Sequence, residues 1–198
     1  MPNTATARAP ERDLRNQILD TALQLFSRNG YFNTSVHDIR RAAGVSIGAI
    51  YHHFPSKEAV AAALYHALVE RMDRVMVDIV AAHRSAHDRC RAVVAALFEL
   101  AETQPEMMSF ILNAKHREFM PDATPICSSR PFERMLDMVR EGIASGEIRQ
   151  MEALVAAPSL FGGPLRLLQL RLDGILTVPL PSVLDTAWEC AWRAVANP

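Results

Sequence analysis

Two groups of side chains in this sequence have types and spacings that could do chemistry. His83, His87 and Cys90 stand at i, i+4 and i+7, a spacing that brings imidazole and thiolate ligands to one side of a helix, as a soft metal requires. They sit where two helical patterns join, so the continuous helix such a site needs is not secured, and no metal or cofactor is expected. Cys90, Cys127 and Cys190 are odd in number and widely separated, which indicates reduced thiols rather than a disulfide framework or a paired metal site. The chain has no glycine-rich phosphate loop, no G-x-S-x-G elbow and no H-E-x-x-H pair. No pair of carboxylates is positioned by its spacing either, so an enzyme is not expected.

The second group is Thr34, Ser35, His37, Ser46, Tyr51, His52, His53 and Lys57, a run of hydroxyl, imidazole and ammonium groups. It lies in the more basic part of the chain. The first sixty residues carry seven basic against five acidic side chains, whereas the remainder carries fourteen against seventeen. The asymmetry points this end at an anionic partner, although a net charge of −1 says nothing for nucleic acid on its own.

The elements that must position these residues read as helices throughout. Residues 1–12 hold prolines and small polar residues without apolar period and are expected to form a disordered arm. From Asp13, Leu14, Ile18, Leu19, Ala22, Leu25 and Phe26 recur at three- and four-residue steps, and Asn29-Gly30 supplies a left-handed stop. Ser35, with Asp38 three residues on, caps a short second helix that ends before Gly44. Ser46 caps a third of about two turns, closed by Pro55, and Ser56 caps a fourth starting at Lys57.

Two short helices joined at Gly44-Val45 fit a helix-turn-helix, whose second helix enters the major groove of DNA. Small Ala42 and Ala43 are expected to let the helices cross closely, and Val45 and Ile50 to fill the space between them. Ile47, Gly48, Ala49, Tyr51, His52 and His53 are left for the outer faces. Apolar Ile47 and Ala49 suit thymine methyl groups. Tyr51 has a second reading as a core aromatic with a satisfied hydroxyl, and Arg40 and Arg41 read more readily as a solvated face than as base readers.

The run ILDTALQLFSRNGYFNTSVHDIRRAAGVSIGAIYHHFPSKEAVAAAL, Ile18 to Leu64, resembles the N-terminal signature of the TetR/AcrR family of transcriptional regulators. The body behind it matches in length and helical pattern alone. The resemblance implies an all-α protein of about nine helices, with a DNA-binding domain at 13–56 and a ligand-binding and dimerising domain at 57–198. It implies that Tyr51 and Lys57 reach DNA phosphates, that Thr34 and Ser35 meet the backbone of the duplex, that His53 is a further phosphate donor, and that Ser46 belongs to the same DNA-binding set. These contacts set register. Base reading falls to Ile47, Gly48, Ala49 and His52, with His37 reaching in from the second helix. The implied partners are a palindromic operator, an unidentified small-molecule inducer and a second copy of the chain. Ligand in the body would shift the fourth helix and so change the spacing of the two heads.

Further along, helical patterns cover roughly 88–102, 105–116, 131–144, 152–172 and 181–196, separated by a loop over 120–130. Met107, Met108, Phe110, Ile111, Leu112, Phe119 and Met120 gather around Asn113, His116 and Arg117. Core packing accounts for such a set, and so does an adaptable apolar pocket, to which the resemblance adds Phe161, Leu165 and Leu168. The last two long helices carry broad apolar faces, with Leu160 and Leu172 on one and Leu184, Trp188 and Trp192 on the other. They suit either an intrachain core or the helices that pair across a two-fold axis. Gly162-Gly163 ahead of Pro164 is expected to bend or thin the first of them.

No stretch approaches the roughly 18 to 20 uninterrupted apolar residues of a membrane span, and the polar start has no signal core. A protein of the cytoplasm is expected, most readily a repressor released by an apolar or amphipathic ligand. The alternative is a helical interaction protein without operator recognition, which salt-dependent, sequence-selective DNA binding would exclude.

Overall fold

The protein was analysed as a computed structural model that describes residues 8–113 and 129–197, with side chains over 13–112 and 129–197. Among the described residues there are nine α-helices and no strand: α1 (Arg8–Asn29), α2 (Val36–Ala43), α3 (Ile47–His53), α4 (Lys57–Ala82), α5 (Ala86–Thr103), α6 (Pro105–Asn113), α7 (Arg130–Ser145), α8 (Ala153–Leu172) and α9 (Leu184–Arg193), with a 3₁₀ turn at Leu180–Val183 before the last. They fall into two compact units that divide within α4, between Leu68 and Val69. This is later than the boundary expected before Lys57, because the first turns of α4 are tied into the head by side-chain bonds.

In the head, α1 begins at Arg8, ahead of the start expected at Asp13. Pro10 sits in the first turn, where its missing N–H would have no partner in any case. Gly30 stops the helix at φ 82°, its N–H donating to the Phe26 carbonyl at 3.1 Å. Ser35 and Asp38 form the full capping box of α2, each side chain accepting from the other's backbone N–H. Gly44 follows at φ 66°, a left-handed conformation that costs a residue with a Cβ about 1–2 kcal/mol. Ser46 then caps α3, its Oγ accepting from the Ala49 N–H at 3.1 Å. Ile18, Ala22, Ile39 and Ile50 have no exposed surface and form the core of this unit.

In the body, α5 packs against α7, α8 and α9, and α8 against α7 and α9. At the crossing of α5 and α7, a Cβ on Gly142 would stand 2.8 Å from the Ala86 Cβ, so only glycine permits the approach. Glu102 of α5 engages Arg171 of α8 through both carboxylate oxygens at 2.9 Å and accepts the Leu180 N–H at 2.8 Å. This ties the loop after α8 back onto the core. The Arg149 N–H donates to Val195 and the Asn197 N–H to Glu147, clasping the chain's end to the turn before α8. The helix expected over 181–196 is shorter than foreseen: prolines 179 and 181 confine its first turn to the 3₁₀ geometry. α8 runs unbroken through Pro158 and Pro164. It is long and apolar enough to cross a membrane by length and composition, yet Ala156, Ala157, Leu160, Phe161 and Leu168 are buried within the body.

Candidate nucleic-acid interface

The helix-turn-helix presents its third helix as a polar and aromatic surface on an apolar plug. Ile50 is wholly buried and Ala43 nearly so, filling the expected places between α2 and α3, while Ala42 lies on the exposed side and takes no part in the crossing. Tyr51 is 51% exposed, which removes the core-aromatic reading. Gly48 and His52 are exposed beside it, and Ile47, Ala49 and His53 are half-exposed. His37 is exposed on α2. The rings of His52 and His53 meet edge to face, with centroids 5.1 Å apart. Between Ile47 and His53 the chain has no Lys or Arg, so the reading helix itself offers hydrogen-bond donors, a phenol and apolar surface in place of permanent charge.

The residues around this surface divide into those that face outward and those already committed. Thr34 is a correction to the sequence reading. It is 1% exposed, and its hydroxyl donates to the Gly30 carbonyl at 2.9 Å, so it holds the turn after α1 and is not presented to a ligand. Ser35 donates to the Asp38 carboxylate at 2.6 Å while accepting the Asp38 N–H at 3.1 Å. The hydroxyl's bond, and after it the Ser35 backbone N–H donating to the same carboxylate at 3.0 Å, hold the Asp38 carboxyl below its usual range. Ser46 accepts at its cap and keeps its own proton to donate.

Lys57 spends two of its three N–H groups on the carbonyls of Tyr31 and Thr34, each at 3.0 Å, with the ammonium 4.1 Å from the centre of the Tyr31 ring. One N–H remains. The Tyr31 hydroxyl donates to Glu58 at 2.9 Å; burial, then the Glu58 carboxylate, pushes this phenol well above its ordinary value. Glu58 is held low by its own backbone N–H, the Ser56 hydroxyl and Tyr31. Tyr31 and Glu58 thus lock the start of α4 to the turn between α1 and α2. Sequence reading missed both, because a contact spanning 27 residues leaves no periodic trace.

In the body, the described residues line a half-open cavity of about 190 Å³ between α4, α5, α6, α7 and α8. Of the expected pocket residues, Met108, Ile111, Leu112 and Leu165 line it. Met107, Phe110, Phe161 and Leu168 do not; they are buried in the surrounding core. The Asn113 side chain, His116, Arg117, Phe119 and Met120 lie outside the described residues. Val69, Met72, Leu97, Ser129, Pro131, Phe132 and Met135 are the other described residues of its wall. They went unforeseen because they come from α4, α5 and the start of α7, which are remote from α6 in sequence.

The expected dimer face is also revised. Leu160 and Trp188 are buried within the chain itself, where the Trp188 Nε1 donates to His87 Nε2 at 3.0 Å and Trp192 stacks on Trp188 at 5.4 Å. Leu172 and Leu184 are half-buried. The outward strip of α8 carries Leu154 and Val155, 65% and 55% exposed, then Ser159, Gly162, Gly163 and Arg166. Beside it runs a shallow groove of about 600 Å³ that reaches Ala187 and Cys190 of α9.

His83, His87 and Cys90 do not converge as metal ligands. Both ring nitrogens of His87 are engaged, one by Trp188 and the other by Asp88 at 3.0 Å, and burial pushes the Cys90 thiol up to about 12. Among the described residues no group of three or more His, Cys, Asp or Glu side chains is placed to hold a metal ion.

The comparisons with known proteins point the same way as the geometry. Residues 18–64 match the family described as bacterial regulatory proteins, tetR family. The chain is 33% identical over 85 residues to the HTH-type transcriptional repressor KstR2 of Rhodococcus jostii, a match spanning 43% of this chain and 42% of that relative, less than half of its length. A TetR family transcription regulator from Marinobacter aquaeolei superposes with a TM-score of 0.79 at 23% identity, covering 96% of this chain and all of that one. The transcriptional regulator FadR from Bacillus subtilis, solved in complex with stearoyl-CoA, superposes at 0.73 with 22% identity, over 90% of this chain and 98% of its own. At these identities the structural likeness establishes the fold.

Proposed function

We propose that this chain, which is similar to the tetR family of bacterial regulatory proteins over residues 18–64, is a homodimeric transcriptional repressor that grips operator DNA through α3 and lets go when a small apolar or amphipathic molecule occupies its body. The observation that carries this reading is the coincidence of the family match at 18–64 with a closed α2-turn-α3 unit whose Tyr51 and His52 stand exposed on the second helix.

Ile47, Gly48, Ala49 and His52 would meet base edges, with His37 beside them, while Tyr51, His53, Ser46 and the last N–H of Lys57 would meet phosphates. One short helix reads only a few base pairs, so a two-fold dimer on a palindrome doubles the contact. The outward strip Leu154–Arg166 of α8 and the neighbouring face of α9 supply the surface for that pairing, in place of the inward-facing Leu160 and Trp188. For release, α4 is continuous from Lys57 to Ala82 and its first residues are bonded to the head, so it would carry the ligand's effect. The ligand need only prefer the conformation that does not bind DNA. Work in the cytoplasm follows from this function.

The test is a fluorescence-anisotropy titration of the region upstream of the protein's own gene at several salt concentrations. Selective binding whose affinity falls steeply with salt is expected, and Tyr51→Phe should weaken binding to every sequence alike. Equally weak binding to all duplexes would contradict the proposal.

A further inference from the structure

The ligand-responsive reading leaves the chemistry of the ligand open, and the cavity in the body narrows it. We propose that this cavity takes an uncharged apolar chain or ring of about eight carbon atoms, any charged head group staying outside; the size is scaled from apolar cavities of about 150 Å³ that accept benzene. The inference rests on the reading of the body as the sensory compartment.

Three observations carry it. The first is the wall. Val69, Met72, Leu97, Met108, Met135 and Leu165 present only hydrocarbon and thioether to the space, and Ser129 is the sole polar side chain among the described lining residues. A carboxylate or phosphate brought among them would lose its hydration with little in return. The second is an ion pair carried by two of the lining helices. Asp73 and Arg134, next in sequence to Met72 and Met135, hold each other through two contacts, Nε to Oδ1 at 2.5 Å and Nη2 to Oδ2 at 3.3 Å. The Arg134 guanidinium is therefore already committed and is not offered to an anionic guest. The third is the volume of about 190 Å³, somewhat larger than a benzene-sized cavity and far short of a long acyl chain. The three methionines let the wall follow different shapes, so size and charge select here, and outline matters less.

The experiment is isothermal titration of the full-length protein, without DNA, with straight-chain 1-alkanols from butanol to dodecanol and with octanoate as the charged counterpart. Affinity should climb about fourfold with each added methylene and stop climbing near octanol, with octanoate about tenfold weaker or worse. Met135→Ala, which enlarges the cavity, should move the break to longer chains; if that variant does not fold, Leu97→Phe should move it to shorter ones. A climb continuing through dodecanol, octanoate binding as tightly as octanol, or no saturable binding at all would overturn the assignment. Operator release is measured separately. Alkanol binding that leaves operator affinity untouched counts against the ligand-responsive reading and leaves the cavity's chemistry standing.

Discussion

In the head, the turns between helices are closed by caps three residues long, Ser35 on Asp38 and Ser46 on Ala49, and by Lys57, which reaches the carbonyls of Tyr31 and Thr34 across 26 and 23 residues. In the body, the joints are made by distant partners. Glu102 reaches Arg171 and Leu180, Glu147 accepts the N–H groups of Ala86 and His87, and Gly142 lets α7 lie against Ala86. A unit whose turns are closed by caps and by bonds of fewer than thirty residues' reach has a fixed surface, as a reader of DNA needs. A unit held by long-range packing around an apolar space can be loosened or tightened by what fills that space.

Substitutions can break or sharpen this contrast, because Trp188 and Trp192 both lie in the body and their fluorescence reports on it alone. The largest effect is expected at Phe98, 1% exposed: Phe98→Ala should cost about 3–5 kcal/mol, read as a lower midpoint in a denaturant titration followed by tryptophan emission. Gly142→Ala comes next, at about 1–3 kcal/mol, since its Cβ would collide with the stiff Ala86 methyl. In the head, Gly44→Ala and Ser46→Ala should each cost about 1 kcal/mol, the first through its left-handed backbone and the second through a lost cap. Both should lower DNA affinity more than they move the tryptophan transition. If Gly44→Ala shifted that transition as far as Gly142→Ala does, the contrast between the units would fail.

The smallest expected effect is on pH dependence. Glu102 is held below its ordinary range, first by Arg171 and then by the Leu180 N–H. Its contribution to stability is therefore complete above the unfolded carboxylate value of 4.5 and is lost as pH falls through the lower folded one. Thermal melts of the protein and of Glu102→Gln should differ at neutral pH and converge in acid. A gap that widened on acidification would show the pairing to be misassigned.

The same contrast explains what the sequence disclosed. Caps, stops and short apolar periods are local, so α2, the turn and α3 were legible almost residue by residue, and the exposed places of Tyr51 and His52 followed from them. Thr34 was misplaced because a hydroxyl in a turn reads the same whether it faces solvent or bonds back to Gly30. In the body, apolar period identified the helices without saying which neighbour each face would meet. Leu160 and Trp188 fit an interface as well as a core, and only the packing turned them inward. The cavity wall was half-hidden for the same reason. Met108 and Ile111 share a helix with the core residues Met107 and Phe110, and nothing in their spacing says which pair borders the space.

The central claim is that α3 reads DNA by sequence, and it is tested most directly by footprinting the protein and its His52→Ala variant on the region upstream of its own gene. The account predicts a protected, two-fold symmetric site for the protein, and for the variant a loss of discrimination between that site and a scrambled duplex. Protection of neither, or identical protection of both by the unaltered protein, would contradict it.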